Sequence, residues 1–341
     1  MAAPPALPVE EASVWHIGVR TLPPPAGASE VVRASIAGSQ QPDVAARKLA
    51  TPTSVTDWNA LIKGREASSI ELPELDRMFN VTTQVANIGG VKVYRVNPNE
   101  VAAVHKNHLF IYLHGGAYVF GGGTSGLTEA ARIASTSGIA VVSVDYAMPP
   151  KDPFPAAVDE VITVYRELLK TVAPGAMAIG GTSAGGGLAL ASVHRMKQLR
   201  LPHVGAIYAG TPWADLTRTG DSLLINEGID RVLVTYDAML GAAARLYANG
   251  HDMHDPLLSP VYGDFSGFPP TYLVTGTRDM FLSDTARTHR QLRAAGVLAD
   301  LNVYEGLSHA GYAFMPDSPE SKQVYTELSA FLALHLQGDS D

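Results

Sequence analysis

The stretch Gly180-Gly181-Thr182-Ser183-Ala184-Gly185-Gly186-Gly187 lies between a short apolar run, residues 176–179, and an alanine- and leucine-rich run that begins at Leu188. The pattern predicts a strand, a sharp turn and a helix, with Ser183 at the turn in a Gly-x-Ser-x-Gly frame. A nucleophilic serine needs such a turn, because its side chain must point out of the sheet. The N-terminus of the following helix then faces developing negative charge.

A phosphate-binding loop is the alternative interpretation of the same glycine-rich turn. The sequence lacks the Gly-Lys-Ser/Thr of a P-loop, and its glycines fit a dinucleotide fingerprint only loosely. That fingerprint also usually follows an early strand, whereas this stretch lies in the middle of the chain. The nucleophile interpretation is therefore favoured, and a second motif strengthens it.

The second motif is His114-Gly115-Gly116-Ala117-Tyr118, which follows the apolar run Leu109–Leu113. A His-Gly-Gly turn after a strand, upstream of such a serine, is typical of an oxyanion hole. Acyl transfer places negative charge on the former carbonyl oxygen, and fixed backbone N–H groups stabilise that charge. The predicted donors are the amides of Ala184 and of the turn Gly115, Gly116 and Ala117. We expect the His114 imidazole to brace the turn by hydrogen bonds rather than to take part in the chemistry.

The predicted acid and base lie downstream, in the order Ser, Asp, His. Asp279 follows the predicted strand 271–275, and His309 follows the predicted strand Ala299–Tyr304. Because the carboxyl ends of parallel strands share one crevice, we expect Ser183, Asp279 and His309 to converge as a catalytic triad. Asp284 is the local competitor for the role of the acid. A helix cap is the structural alternative for Asp279, and a surface loop position is the alternative for His309.

These motifs make the chain resemble the hormone-sensitive-lipase-like esterases, the bacterial family IV branch of the alpha/beta hydrolases, in the subgroup with Gly-Thr-Ser-Ala-Gly. The resemblance extends from about residue 81 to the C-terminus. It is carried by segments 114–118, 145–146, 153–160, 181–186, 213–217, 255–260 and 279–283. Four departures from the family pattern are Ala117 in place of glycine, Thr182 where many members have Asp, Asp279-Met280-Phe281 in place of Asp-Pro-Leu, and Ala310 after the histidine.

The resemblance implies an alpha/beta hydrolase fold with an eight-stranded, mostly parallel, doubly wound sheet and a helical cap. It implies a serine carboxylesterase that acts through an acyl-serine intermediate, prefers acyl chains of about two to eight carbons and needs no metal or organic cofactor. Lactone, carbamate or amide hydrolysis by the same triad remains an alternative. Non-catalytic ligand binding is a further alternative, which the presence of His309 disfavours.

Composition excludes several classes of protein. Hydrophobic residues make up 46% of the 341 residues and charged residues 17%, which is typical of a globular chain rather than a disordered one. The net charge of −8 disfavours a nucleic-acid partner, and we expect a small-molecule ester instead. The sequence has no cysteine, so it has neither disulfides nor a thiol nucleophile. The absence of an apolar run of about 18 residues predicts no membrane span.

The start of the chain, residues 1–10, lacks the basic start and apolar centre of a signal peptide, so we expect a cytoplasmic protein, with a homodimer as an allowed assembly. Residues 1–78 are predicted to form an N-terminal cap segment. Residues 79–213 and 251–341 are predicted to form the hydrolase core, and residues 214–250 a second cap segment that contains one helix over 236–248. Within the first segment, residues 1–42 are rich in Pro, Ala and Gly, with Pro23-Pro24-Pro25 as a rigid spacer, and residues 43–78 contain helical patterns.

Two further groups of residues have a functional and a structural interpretation. Tyr118 and Trp213 flank the two motif turns and are candidate walls of a substrate pocket, although core packing is an equal alternative for Trp213. The segment His251-Asp252-Met253-His254-Asp255 has a spacing that could ligate zinc. We interpret it instead as a solvated linker loop, and predict no metal site.

Overall fold

Eight strands form one sheet in the order β1-β2-β4-β3-β5-β6-β7-β8, in a computed structural model that describes residues 18, 20–67 and 69–337. The strands are β1 (Val81–Ile88), β2 (Val91–Pro98), β3 (Leu109–Leu113), β4 (Ala140–Val144), β5 (Met177–Thr182), β6 (Ala206–Gly210), β7 (Thr271–Gly276) and β8 (Ala299–Tyr304). β2 pairs antiparallel with β1 and β4, and all the other pairs are parallel. The predicted alpha/beta hydrolase sheet is therefore confirmed.

The central strands are short apolar runs because helices cover both faces of the sheet. All five residues of β3 are buried, and alternate side chains enter opposite layers. Leu109, Ile111 and Leu113 join one core cluster, whereas Phe110 and Tyr112 join the other. Because the strands from β3 to β8 run in parallel, their carboxyl ends lie along one edge of the sheet, where a site can form.

The helices cover the two faces and the carboxyl edge of the sheet. Their bounds are α1 (Glu30–Ala37), α2 (Val44–Leu49), α3 (Val55–Glu66), α4 (Leu72–Phe79), α5 (Leu127–Ser137), α6 (Ala156–Leu168), α7 (Ala184–Gln198), α8 (Ser222–Ile225), α9 (Gly241–Ala248), α10 (Leu282–Ala294), α11 (Gly311–Phe314) and α12 (Pro319–His335). The last helix begins as predicted, because Ser318 caps it by accepting a hydrogen bond from the Ser321 amide and Pro319 is its first residue. Its predicted apolar face is buried, with Val324, Leu328 and Leu332 fully inaccessible.

The structure corrects the sequence analysis in three places. Helix α1 lies within the Pro-, Ala- and Gly-rich stretch 1–42, where no helix was predicted, and Ser29 caps its N-terminus by accepting a hydrogen bond from the Val32 amide. The predicted helix over 236–248 is broken, because Asp237 and Ala238 have non-helical backbone angles and only α9 is regular. The strand predicted over 204–209 begins at Ala206.

The prediction about a leader concerns residues 1–10, which lie outside the described residues. In the part of the chain that is described, no helix is both long enough and apolar enough to cross a bilayer.

Candidate active site

Ser183 occupies a sharp turn between the end of β5 and the start of α7. Its φ is 64°, a left-handed conformation that costs an ordinary residue about 1–3 kcal/mol. The backbone is held there from both sides, because the Ser183 amide donates to the Gly210 carbonyl at 2.8 Å and the Trp213 amide donates to the Ser183 carbonyl at 2.9 Å. The strain is therefore sustained by the neighbouring β6 and the turn that follows it.

The glycines on either side of Ser183 are required by close backbone approach. A Cβ at Gly181 or at Gly185 would collide with the Leu113 carbonyl oxygen at the end of β3. These two glycines let the turn that carries Ser183, here called the nucleophile turn after its proposed role, lie directly against β3. The Gly-x-Ser-x-Gly frame thus follows from packing rather than from the serine's chemistry alone.

The turn after β3 lies beside Ser183, as the sequence predicted. A Cβ placed at Gly115 would lie 3.4 Å from the Ser183 Cβ, so the two backbones are in direct contact. Ala117 has a φ of 55°. Among the described residues, the amides of Gly116, Ala117 and Ala184 donate to no protein acceptor. Free N–H groups at a helix N-terminus and at an adjacent turn are suited to binding an oxyanion.

His114 contacts this turn and the neighbouring Tyr146, as expected for a side chain that braces the turn. Its Nδ1 lies 2.9 Å from the Gly115 carbonyl oxygen. Its ring stacks on Tyr146 at a centroid distance of 4.1 Å, and the Tyr146 hydroxyl donates to the His114 carbonyl at 2.7 Å. Burial lowers the pKa of His114.

Asp279 and His309 meet at the carboxyl edge of the sheet. The Asp279 side chain is fully buried, and its Oδ1 lies 3.2 Å from His309 Nδ1. The same oxygen accepts the Phe281 amide at 2.7 Å, while the other oxygen accepts the hydroxyls of Thr275 and Thr211. Because Asp279 occupies Nδ1, His309 has Nε2 left for proton transfer.

The turn after β6 joins the serine to the acid and the histidine. Gly210 receives the Ser183 amide, and the next residue, Thr211, donates its hydroxyl to Asp279 and lies 3.3 Å from His309 Nδ1. Sequence analysis did not single out Thr211. Its position directly after a predicted parallel strand was the available signal, because such positions border the site.

The charge around His309 favours the protonated ring. Burial opposes the imidazolium, but the Asp279 carboxylate, its hydrogen bond and the more distant Asp230 together raise the pKa of His309 above its ordinary value. An imidazole with a raised pKa is a stronger base, which suits abstraction of a serine proton.

Asp284, the competitor for the acid's role, points elsewhere. Its Oδ2 accepts the amides of Ala214 and Asp215 at 3.1 and 3.0 Å, and it makes no hydrogen bond to His309. Burial and the neighbouring Asp215 raise the pKa of Asp284 well above its usual range. The Asp284 side chain therefore holds the turn 213–215 in place.

A further carboxylate, Asp230, lies next to the acid and the histidine and was missed from sequence. Its Oδ2 accepts the Met280 amide at 2.9 Å and the His309 amide at 3.3 Å. Burial and the Asp279 carboxylate raise its pKa to about 6. No sequence signal pointed to it, since it lies in an irregular segment about fifty residues before Asp279.

A network of hydroxyl groups lies beneath the nucleophile turn. Glu129 of α5 accepts the Thr182 hydroxyl at 2.6 Å and those of three buried tyrosines, Tyr112, Tyr208 and Tyr325, at 2.9 to 3.1 Å. Thr182 directly precedes the nucleophile, so this network ties the end of β5 to the helices behind the sheet. Tyrosine and glutamate have no periodic pattern that predicts such a convergence.

Tyr118 and Trp213, the predicted pocket walls, are both almost completely buried. Tyr118 stacks on Tyr247 of α9 at 4.0 Å, and Trp213 stacks on Phe281 at 5.5 Å. Phe281 in turn packs edge-on against His309 at 4.8 Å. The two rings therefore form the packed layer directly behind the turns.

The segment 251–255 brings together no metal-ligand set within the described part of the chain. His254 contacts Asp252 at 3.0 Å, whereas the His251 ring packs edge-on against Phe154 at 5.1 Å. The two histidines thus have separate partners.

Comparisons with known proteins agree with this geometry. A family model described as the alpha/beta hydrolase fold matches residues 110–313. A solved structure of an esterase called E25 is 46% identical, with a TM-score of 0.91 over 95% of this chain and 99% of that one. A solved esterase from the bacterial hormone-sensitive lipase family is 29% identical, with a TM-score of 0.71 over 84% of this chain and 100% of that one. An acetyl-hydrolase of Streptomyces hygroscopicus is 32% identical over 65% of this chain and 74% of its own length.

Proposed function

Because the chain belongs to the alpha/beta hydrolase family, and within it to the hormone-sensitive-lipase-like esterases of bacterial family IV, we propose that it hydrolyses short-chain acyl esters on Ser183. The family and the relatives named as esterases make the chain a carboxylic ester hydrolase. The acyl-chain length and the residue roles are the proposal. One observation carries the residue roles: the buried Asp279–His309 pair borders the turn that holds Ser183 beside free backbone amides.

The proposed reaction has two halves. Ser183 Oγ attacks the ester carbonyl carbon while His309 Nε2 takes the hydroxyl proton, and Asp279 orients the ring and stabilises the imidazolium. The ester C–O bond breaks as His309 returns the proton to the leaving alcohol, which leaves an acyl-serine. Water then attacks the acyl carbon with His309 again as the base, and the carboxylic acid and free Ser183 are released.

The oxyanion of each tetrahedral intermediate is assigned to the amides of Ala184 and of the turn Gly115, Gly116 and Ala117. In a measured serine protease, loss of one oxyanion donor costs about 3–4 kcal/mol of transition-state stabilisation. Tyr118 and Trp213 are proposed to shape the pocket, because their rings lie directly behind the two turns. No step of this scheme uses a metal or an organic cofactor.

The preference for short acyl chains rests on what packs around the turns. We propose that residues 1–78 and 214–250 act as the cap. Trp58 and Arg65 of α3 pack on Phe120, which follows the oxyanion turn, at 6.0 and 3.9 Å. Tyr247 of α9 stacks on Tyr118 from the other side. Such packing favours an enclosed pocket over a broad lipid-facing groove.

The substrate is proposed to be a small molecule rather than a nucleic acid, because the net charge is −8. The relative named acetyl-hydrolase supports a small acyl group. Each added methylene gains about 0.8 kcal/mol only while it contacts apolar wall, after which it clashes. The kcat/KM is therefore expected to peak between about two and eight acyl carbons.

The test measures kcat/KM for p-nitrophenyl esters of increasing acyl length, with and without an oil–water interface. A panel of matched lactones and amides is run in parallel. A rise that continues through long chains, or strong activation at the interface, would contradict the short-chain proposal. A higher kcat/KM for lactones or amides than for every ester would overturn the assignment of the preferred bond.

A further inference from the structure

A segment of the β6–β7 insertion, residues 222–234, contacts both loops that carry the proposed acid and base through buried side chains, among them Ser222, Asn226 and Asp230. Ser222 exchanges hydrogen bonds with Ser283 at 2.9 and 2.8 Å and donates its hydroxyl to the Met280 carbonyl at 2.6 Å. The Asn226 side chain donates to the Asp279 carbonyl at 2.8 Å. These contacts attach the insertion to the acid-bearing loop at several points.

Asp230 extends this attachment to the histidine. Its carboxylate receives four backbone N–H groups and is completely buried. Oδ1 accepts from Val232 and Leu233 at 2.8 and 3.2 Å, within its own segment. Oδ2 accepts the amide of Met280, which directly follows the proposed acid Asp279, and the amide of His309, the proposed base. One oxygen atom therefore bridges the backbone of the acid loop and the backbone of the histidine loop.

The next residue reinforces the bridge. The Arg231 amide donates to the Ser308 hydroxyl at 3.1 Å, so two consecutive residues of the insertion hold the loop that presents His309. Arg231 itself points away, because its guanidinium donates to the carbonyl and hydroxyl of Ser35 in α1 at 2.9 and 3.1 Å. The Asp230 carboxylate therefore binds the loops of the proposed acid and base, whereas the Arg231 guanidinium binds helix α1.

We propose that Asp230 is a positioning residue of the esterase, which fixes the Asp279–His309 pair through backbone hydrogen bonds. The inference rests on the proposed triad. Asp230 touches neither reacting atom, since its contacts are to backbone amides. The Asp279–His309 distance of 3.2 Å leaves little margin for further separation before the hydrogen bond is lost.

The charged groups around Asp230 determine how removal of its charge changes the pKa of His309. Asp279 faces it from the acid loop, His309 from the histidine loop, and Arg231 adjoins it on its own segment, with Arg278 close to Arg231. The negative charge of Asp230 contributes to the raised pKa of His309. Loss of that charge therefore lowers the pH at which His309 becomes neutral.

The main test is Asp230→Asn, with Asp237→Asn as the matched control. Asparagine retains one oxygen, so one of the two pairs of N–H groups must face an NH₂ group. We expect kcat to fall about 10- to 100-fold with a small change in KM, and the acid limb of the kcat/KM profile to move to lower pH. Asp237 lies in the same insertion but pairs with Arg218 at 2.8 Å, away from both loops, and its variant should retain the wild-type profile.

Asp230→Glu provides the second variant if Asp230→Asn does not fold. It keeps the charge but displaces the oxygens, so kcat should fall while the acid limb stays in place. An unchanged kcat in either folded variant would overturn the proposal, and so would a lower kcat in Asp230→Asn with an unmoved acid limb. Ser183→Ala, measured in the same series, distinguishes failure of the proposed triad from failure of the positioning role of Asp230. Activity retained in Ser183→Ala would refute the triad. If Ser183→Ala is inactive but Asp230→Asn has the kcat of the wild type, only the positioning role is refuted.

Discussion

The two halves of the site are held in place by different means. The nucleophile half depends on backbone close to it in the sequence and in the adjacent strand, since Gly181 and Gly185 pack on the Leu113 carbonyl and Ser183 is hydrogen-bonded to Gly210. The acid–histidine half depends on side chains from distant segments, above all Asp230 and Thr211. The difference teaches that a nucleophile turn can be specified locally, whereas the alignment of acid and base is a tertiary property.

The largest expected effect is on the nucleophile itself. Ser183→Ala should lower kcat by about 10⁶-fold, the loss measured for a serine protease, because the triad acts as one unit. The measurement is p-nitrophenyl ester hydrolysis, with thermal unfolding as the control for an intact fold. Turnover close to that of the wild type in a folded variant would show that the nucleophile lies elsewhere.

The acid–histidine half is tested by two aspartates that lie five positions apart in the sequence, Asp279 and Asp284. Asp279→Asn should lower kcat by about 10⁴-fold, because the amide favours the wrong imidazole tautomer, as in the protease example. Asp284→Asn is the matched control, and it should change kcat by less than about threefold because its remaining oxygen still accepts the Ala214 and Asp215 amides. The reverse order of effects would move the acid to Asp284.

The support beneath the nucleophile half is tested at Glu129. Glu129→Ala removes an acceptor shared by the Thr182 hydroxyl and three buried tyrosines. Thr182 and Tyr208 keep hydroxyl partners, whereas Tyr112 and Tyr325 lose the one partner found among the described residues, so the free energy of unfolding should fall by about 3 kcal/mol. Glu327→Ala is the control, because Glu327 also accepts two tyrosine hydroxyls, at 3.0 and 3.1 Å, but far from the site. It should cost less stability and leave kcat unchanged. The measurements are chemical denaturation and kcat. Equal losses of unfolding free energy and of kcat in both variants would show that Glu129 supports the site no more than Glu327 does.

The pH dependence reports on the acid–histidine half alone. His309 acts as a base only when neutral, and its pKa is raised, so kcat/KM should fall about tenfold per pH unit on an acid limb centred above pH 6.5. The kcat/KM falls toward low pH because His309 becomes protonated as the pH decreases, and the protonated ring cannot act as a base. Glu129→Ala should leave this limb where it is in the wild type. A limb centred below pH 6.5 would contradict the assigned charge environment.

The smallest effect is expected at two alanines with positive φ, one in each half. Ala117 and Ala310 have φ values of 55° and 52°. Replacement by glycine relieves about 1–2 kcal/mol of strain and costs about 0.4–1 kcal/mol of added chain entropy, so each variant should gain between about 0 and about 1.6 kcal/mol of stability. Ala34→Gly, in the exposed part of α1, should instead lose about 1 kcal/mol. A loss in either site variant would mean that the methyl group makes a contact worth more than the strain.

Much of the fold could be predicted because its signals are local. Short apolar runs specify the central strands, glycines mark the turns, and Ser318-Pro319 marks the start of the last helix. The predicted helix over 236–248 was wrong in its first half, because the backbone at Asp237 and Ala238 leaves the helical region where the insertion packs against α2. Helix α1 was missed because a segment rich in proline and glycine masked a capped helix of only eight residues.

The sequence by itself determined the order of strands and helices, the glycines of the nucleophile turn, and the three residues proposed to react. Each depends on spacing along the chain, which periodicity and turn chemistry express directly. Tertiary structure alone brought Asp279 into contact with His309, placed Asp230 between their loops, and gathered the hydroxyls below Thr182 around Glu129. These contacts join residues 30 to 196 positions apart, and a buried carboxylate has no pattern in sequence that names the donors it will meet.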